Sequence, residues 1–246
     1  MFGGLSARQT NILKALIDEY IQTAEPVGSE SLERKYNLGV SPATIRNEMA
    51  YLTRIGYLQQ PHASAGRIPL PPAIKFYISQ LMEEKQMSIA EEVKVKENVW
   101  SVREDFNEVL EKVTYMLSVI TKNLAVATAF PNKKLWCWGH SSVLQNPEFD
   151  DISLTASLFS CVEQVEFLQE LFFEHMTGST PVEVVFGEDL GRPDFNRVAV
   201  VGTRLVFEDK QVGFGVIGPV RLEYQEVIPK VKYVQNLLGE ILEYER

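Results

Sequence analysis

Between Ser41 and Arg67 the chain carries side chains that can read a nucleic-acid duplex. Ala43, Asn47, Ala50 and Arg54 recur at helical spacing, with Arg46 on one flank and Thr44 and Tyr51 on the other. Asn can pair bidentately with adenine, and Arg with guanine or a phosphate, while small Ala residues between them suit a helix pressed into a groove. Thr44, Arg46 and Asn47 are the candidates for bases and phosphates in the major groove. Ser41, at the start of the same segment, would help present a helix N-terminus to phosphate. Gln60, His62, Ser64 and Arg67 form a second group around a turn of small residues. There Arg67 beside Gly66 suits a phosphate or the minor groove, and a protonated His62 could donate to a phosphate. The plainer alternatives are a solvated polar helix face and an ordinary surface histidine.

Other constellations promise less. Residues 213–218 match G-x-G-x-x-G, but a dinucleotide site needs a helix starting inside the motif, and here Pro219 follows. Glycine for close strand packing is the simpler reading. Cys137, Cys161, His140 and His175 fit no familiar zinc spacing. Cys137 and His140 could form a nucleophile pair, yet no third orienting group is readable. In Asp150-Asp151 one residue is expected to cap the following helix. No catalytic set, metal site or cofactor is expected, and the chain is not read as an enzyme.

The elements that position the first group are legible. Ser6 and Gln9 form a capping box ahead of a stripe of Ile12, Leu13, Leu16, Ile17, Tyr20 and Ile21. A turn at Glu25-Pro26-Val27-Gly28 leads to a two-turn helix from Ser29, which ends at Asn37-Leu38-Gly39. Ser41 then serves as N-cap with Pro42 at the first helical position, and Ile45, Met49 and Leu52 point inward. Tyr57–Gln60 and Arg67-Ile68 flank a turn, giving a helix-turn-helix followed by a small hairpin, the winged-helix plan.

Charge agrees with this plan. The 246 residues carry a net charge of −9, but residues 1–75 hold 8 Lys/Arg against 6 Asp/Glu, so the acidity lies behind the basic front. Two cysteines exclude a disulfide scaffold. No apolar run approaches the roughly 20 residues of a membrane span. The first residues show no signal pattern, so a cytoplasmic location without a membrane partner is expected.

The strings PVGSESL, SPATIRNEM, GYLQQPHASAGRIP, QNPEFDD and GVIGPVRLEY resemble the HrcA-type heat-inducible transcription repressors. The resemblance covers residues 5–84 strongly and 88–242 with interruptions. It implies a dimeric repressor on an inverted-repeat DNA operator upstream of chaperone genes. It also implies an N-terminal winged helix, a GAF-like C-terminal domain, and tuning by the chaperonin GroEL. Two departures stand out. The segment Leu70-Pro71-Pro72-Ala73-Ile74-Lys75 stands where the family shows a Thr-Glu-Lys-Gly-Tyr-Arg type of run. Phe130-Pro131-Asn132 passes almost at once into Trp136-Cys137-Trp138-Gly139, where family members carry much of the domain and its insertion. The chain therefore resembles a shortened form.

The rest reads as one long helix over 88–122 and an α+β region behind it. Val99, Val102, Phe106, Val109, Val113, Met116 and Ile120 repeat at 3-4 spacing, a heptad seam through which two copies are expected to pair. A helix packed on its own domain is the alternative. From Leu124 on, strands at Leu124–Phe130, Leu135–Trp138 and Val182–Phe186 precede a hairpin of Val198–Phe207 and Val212–Ile217 around Glu208-Asp209-Lys210-Gln211. Helices are expected over Asp151–Met176 and Tyr224–Tyr244. The expected organisation is a winged-helix domain at 1–84, a dimerisation helix at 85–122 and a reduced GAF-like α+β domain at 123–246. The competing function is a protein-interaction or small-molecule-sensing module that does not bind an operator.

Overall fold

The computed structural model describes residues 4–131, 133–207 and 210–244. The chain forms two compact units, divided between Glu83 and Glu84.

The first unit opens with α1 (Ala7–Thr23), α2 (Ser29–Tyr36) and α3 (Pro42–Arg54). Ser6 accepts from Gln9 N while the Gln9 side chain accepts from Ser6 N, so the capping box forms as read. Ile12, Leu13, Leu16 and Ile17 of α1 are buried with Leu32 of α2 and Ile45, Met49 and Leu52 of α3. Ser41 caps α3 with Pro42 behind it. The wing is the antiparallel pair β1 (Leu58–Gln59) and β2 (Ile68–Pro69), followed by α4 (Pro71–Gln80). Tyr77 of α4 donates to Asp18 of α1 at 2.6 Å. Buried Glu19 pairs with Lys35 and accepts from Tyr36 Oη at 3.2 Å, which joins α1 to α2. The desolvated phenol, beside that carboxylate, has its pKa pushed up to about 12.

The second unit begins with α5 (Ile89–Trp100) and α6 (Phe106–Thr121), where the sequence reads as a single helix. The chain breaks at Ser101–Glu104, and Asp105 restarts it by accepting from Asn107 N and Glu108 N at 2.8 and 3.1 Å. The seam is corrected with it. Val99, Val109, Val113, Met116 and Ile120 are buried in their own unit, and Val102 and Phe106 are half-buried. A 3-4 stripe is also what an amphipathic helix needs to lie on its own sheet, and α6 uses it that way. These residues are not a surface seam.

That sheet has five antiparallel strands in the order β4-β3-β7-β6-β5. They are β3 (Leu124–Phe130), β4 (Lys134–Trp138), β5 (Glu183–Phe186), β6 (Val198–Phe207) and β7 (Lys210–Pro219). Lys210 and Gln211 belong to β7 rather than to the turn; Glu208 and Asp209 of that expected turn, and Asn132, lie outside the described residues. On one face lie α6 and α10 (Tyr224–Tyr244). On the other lie α7 (His140–Val143), α8 (Ile152–Val162) and α9 (Val165–Glu170). The helix expected over Asp151–Met176 is thus interrupted, its last turn being a π-type turn at Leu171–His175. Leu124, Val126, Val200 and Ile217 share a core with Leu158, Leu168 and Phe172. The alternate residues Ala125 and Ala127 turn to the α6 side, where small side chains let the helix approach.

The two later resemblance strings clasp each other. Arg221 donates from Nε to Glu148 Oε1 at 2.6 Å, and from Nη2 to Glu148 Oε2 at 3.1 Å and Asn146 Oδ1 at 3.2 Å. Asp151 caps α8 by accepting from Ser153 N and Leu154 N. Pro229 inside α10 has no N–H for the Gln225 carbonyl four residues back, and Lys85 N–H donates there at 2.9 Å instead.

Candidate nucleic-acid interface

The inward face of α3 is fixed by Ile45, Met49 and Leu52, which leaves Ala43, Arg46, Asn47, Ala50 and Arg54 exposed on the other side. The helix spans 13 residues, about 20 Å at 1.5 Å per residue. Its acidic residue is turned away: Glu48 accepts from Arg8 Nε at 2.8 Å and Gln9 Nε2 at 3.0 Å, both on α1. The outer face therefore presents arginine and amide groups without a competing carboxylate from α3. Arg54 lies over the Tyr51 ring, 5.1 Å from its centroid.

Ser41 and Thr44 sit together at the helix start. Ser41 Oγ accepts from Thr44 N at 3.3 Å and lies 3.1 Å from Thr44 Oγ1, so its first role is the cap. In the wing, Gln60 Nε2 donates to the carbonyls of Ala63 and Ala65 at 2.9 and 3.0 Å. Both amide hydrogens are used inside the turn, which makes Gln60 a positioning residue for the wing. His62 and Ser64 are exposed at the tip, with Nδ1 and Oγ 3.2 Å apart.

Arg67 is held from two directions. Its backbone pairs with Val27, N–H to carbonyl both ways at 2.8 and 2.9 Å, and its Nε donates to Thr53 Oγ1 at 3.1 Å. Thr53 in turn donates to Met49 O. The close approach needs Gly66, where a Cβ would fall 2.4 Å from the Val27 carbonyl carbon and oxygen. Arg46, Gln60, Ser64 and Arg67 line one groove of about 490 Å³ with Ser29 and Glu30 from the start of α2. Ser41, Thr44, Asn47 and His62 do not line it. Sequence reasoning missed Thr53, which aims Arg67, and the contribution of α2. The Gly28-Ser29-Glu30 helix start was the available signal for the latter.

The remaining candidate chemistry resolves structurally. Cys137 Sγ lies 3.6 Å from His140 Nε2, but burial, reinforced by Glu163, pushes the thiol pKa up to about 12. It stays protonated at neutral pH and is no nucleophile. Gly213, Gly215 and Gly218 lie along β7, where Cβ atoms would strike Phe172, Val201 and Asn123. A strand interior offers no helix N-terminus for a pyrophosphate. Among the described residues no group of three or more His, Cys, Asp or Glu could hold a metal ion, and no helix is long and apolar enough to cross a membrane.

Comparison with known proteins then decides the family. Residues 4–82 match the model described as "Winged helix-turn-helix transcription repressor, HrcA DNA-binding", and residues 75–228 match "HrcA protein C terminal domain". The chain belongs to the HrcA family. Among similar proteins, the heat-inducible transcription repressor HrcA of Carboxydothermus hydrogenoformans is 26% identical, covering 97% of this chain and 98% of that protein. The HrcA of Symbiobacterium thermophilum is 35% identical over 70% of this chain and 54% of its own. That of Acetivibrio thermocellus is 45% identical over 53% and 37%. The first alignment runs over 338 positions against a chain of 246 residues, so that relative carries segments this chain lacks. A crystal structure of a hypothetical protein at 2.2 Å resolution shares the fold, with a TM-score of 0.75 at 17% identity, covering 99% of this chain and all of that one. As an HrcA-family member the chain is a winged-helix DNA-binding transcription repressor, not an enzyme. The alternative of an interaction or sensing module finds no support.

Proposed function

We propose that this HrcA-family repressor silences chaperone operons by occupying an inverted-repeat operator as a homodimer. Each copy lays α3 in the major groove and the wing against the backbone, excluding polymerase from the promoter. The observation that carries this reading is the exposed face of α3 running into the groove between Arg46 and Arg67. Thr44, Arg46 and Asn47 meet bases and phosphates, with Ser41 at the helix start. His62, Ser64 and Arg67 serve the wing, and Gln60 and Thr53 hold it in shape. Two half-sites one DNA turn apart require two linked copies. Work on DNA sets the protein in the cytoplasm. The family resemblance alone adds GroEL as the partner that tunes repression.

The test is a gel shift on an operator selected from random duplexes. Arg46→Ala and Arg67→Ala should each lower affinity by about tenfold or more, with the fold intact. Log affinity should fall linearly with log salt, less steeply in a variant that loses a phosphate contact. Unchanged affinity in both variants would defeat the site assignment, and a flat salt response would defeat the DNA reading.

A further inference from the structure

The heptad stripe faces inward, so a dimer needs another surface, and one edge of the second unit is built for it. β4 is an outer strand that pairs, among the described residues, with β3 alone. Beside it Tyr115 of α6 and Trp138 of β4 itself are 40% and 41% exposed, unusual for two large aromatic side chains in contact. Tyr115 meets Trp138 edge-on at 5.4 Å, and Lys112 lies over the Tyr115 ring. Glu108, Glu111, Lys112, Tyr115 and Trp138 line a shallow groove of about 380 Å³ with Val102.

The arrangement is self-complementary. Lys134 Nζ donates to Asn107 at one end of β4, and Trp138 touches Tyr115 at the other. Helix and strand therefore run side by side in the same direction, and Trp136 is level with Glu111. We infer that this edge docks a second copy of the same chain, the two β4 strands pairing antiparallel about a two-fold axis at Trp136. The inference rests on the dimeric reading above and names its surface. The axis sets Lys134 of one copy across from Trp138 of the other, a cation facing an aromatic ring. It gathers Glu111 and Lys112 of both copies into four charges that sum to zero. Strands pair about 4.8 Å apart and α6 lies over β3 and β4, so the two α6 helices would run roughly 10–14 Å apart, a gap that Tyr115 and Lys112 can fill. Joining the edges also removes two unpaired strand borders.

Sedimentation of the full chain tests this. Wild type should dimerise at micromolar concentrations. Glu111→Lys and Lys112→Glu leave four like charges at the axis and should each weaken the dimer about tenfold. The double variant restores a zero sum and should recover it. Trp138→Glu should weaken the dimer at least as much. Circular-dichroism melts of the charge variants, taken at concentrations low enough for every form to be monomeric, should match wild type, since both positions lie outside the core. A monomeric wild type, single variants that dimerise like wild type, or a double variant as weak as the singles would each overturn the proposal. A dimeric wild type that ignores every duplex would sink the repressor reading and leave this surface standing. A monomeric one that still binds an inverted repeat would do the reverse.

Discussion

The two units reveal themselves in opposite ways. In the winged-helix unit, chemistry and scaffold come from the same short stretch: a cap, a stripe of three buried residues and an outward face within 13 residues of α3. In the sheet unit, the same apolar spacing serves contacts far away in the chain, because α6 rests on strands that include β7, about a hundred residues later. Local periodicity tells which face of a helix is buried. It says nothing of what buries it.

The sharpest way to break that contrast is Met116→Ala. Met116 is 1% exposed beneath α6, so its truncation should destabilise the second unit by about 3 kcal/mol. The loss, read by chemical denaturation, should be the same at low and high protein concentration. A loss that shrinks as concentration rises would return Met116 to an intersubunit seam. Next in size is Gly66→Ala in the other unit, where the new Cβ meets Val27 and Pro26 backbone that cannot swing aside. It should destabilise the winged-helix unit by about 2 kcal/mol and lower operator affinity further than that loss explains. A fully stable, fully binding variant would show that the wing does not need its tie to Val27. Asp105→Ala removes the cap that separates α5 from α6 and should lower the second unit's stability by about 1 kcal/mol, measured by thermal melting. If α5 and α6 were one continuous helix, losing an internal Asp would be neutral or stabilising.

The effect confined to the narrowest range of conditions is a pH dependence. Tyr36 titrates near 10 when unfolded and near 12 when folded, because burial and Glu19 oppose the phenolate. Its contribution is whole below pH 10 and is lost as pH rises through 12. The melting temperature of wild type should therefore fall more steeply across that window than that of Tyr36→Phe. Parallel curves would mean that neither burial nor Glu19 raises the phenol's pKa in the folded chain.

Much of the first unit was legible, because Ser6, Gln9, Ser41 and Pro42 each act on amides within their own turn. Of the interface, the outward residues of α3 could be read from period alone. The restraint of Arg67 by Thr53, 14 residues earlier, could not, since it depends on how the wing folds back. In the second unit the strands were readable by composition and the closing helix by its stripe. The break before Phe106 left a usable mark, Asp105 three residues ahead of Glu108, which the unbroken 3-4 repeat outweighed. The Cys137 thiol illustrates the opposite case: its closeness to His140 was foreseeable, while its silence comes from burial that no spacing reveals.

The two-way pairing of Val27 with Arg67 fastens the finger to the turn ahead of α2, while the Tyr57 N–H donates to the Leu52 carbonyl and β1 packs on α3. Ridge and finger thus form a caliper with a set jaw. On the proposed interface a duplex would have to conform to that opening, and the work of bending or narrowing would fall on the nucleic acid. Base steps lying between the jaws would then be selected for pliancy, though no side chain ever reaches them.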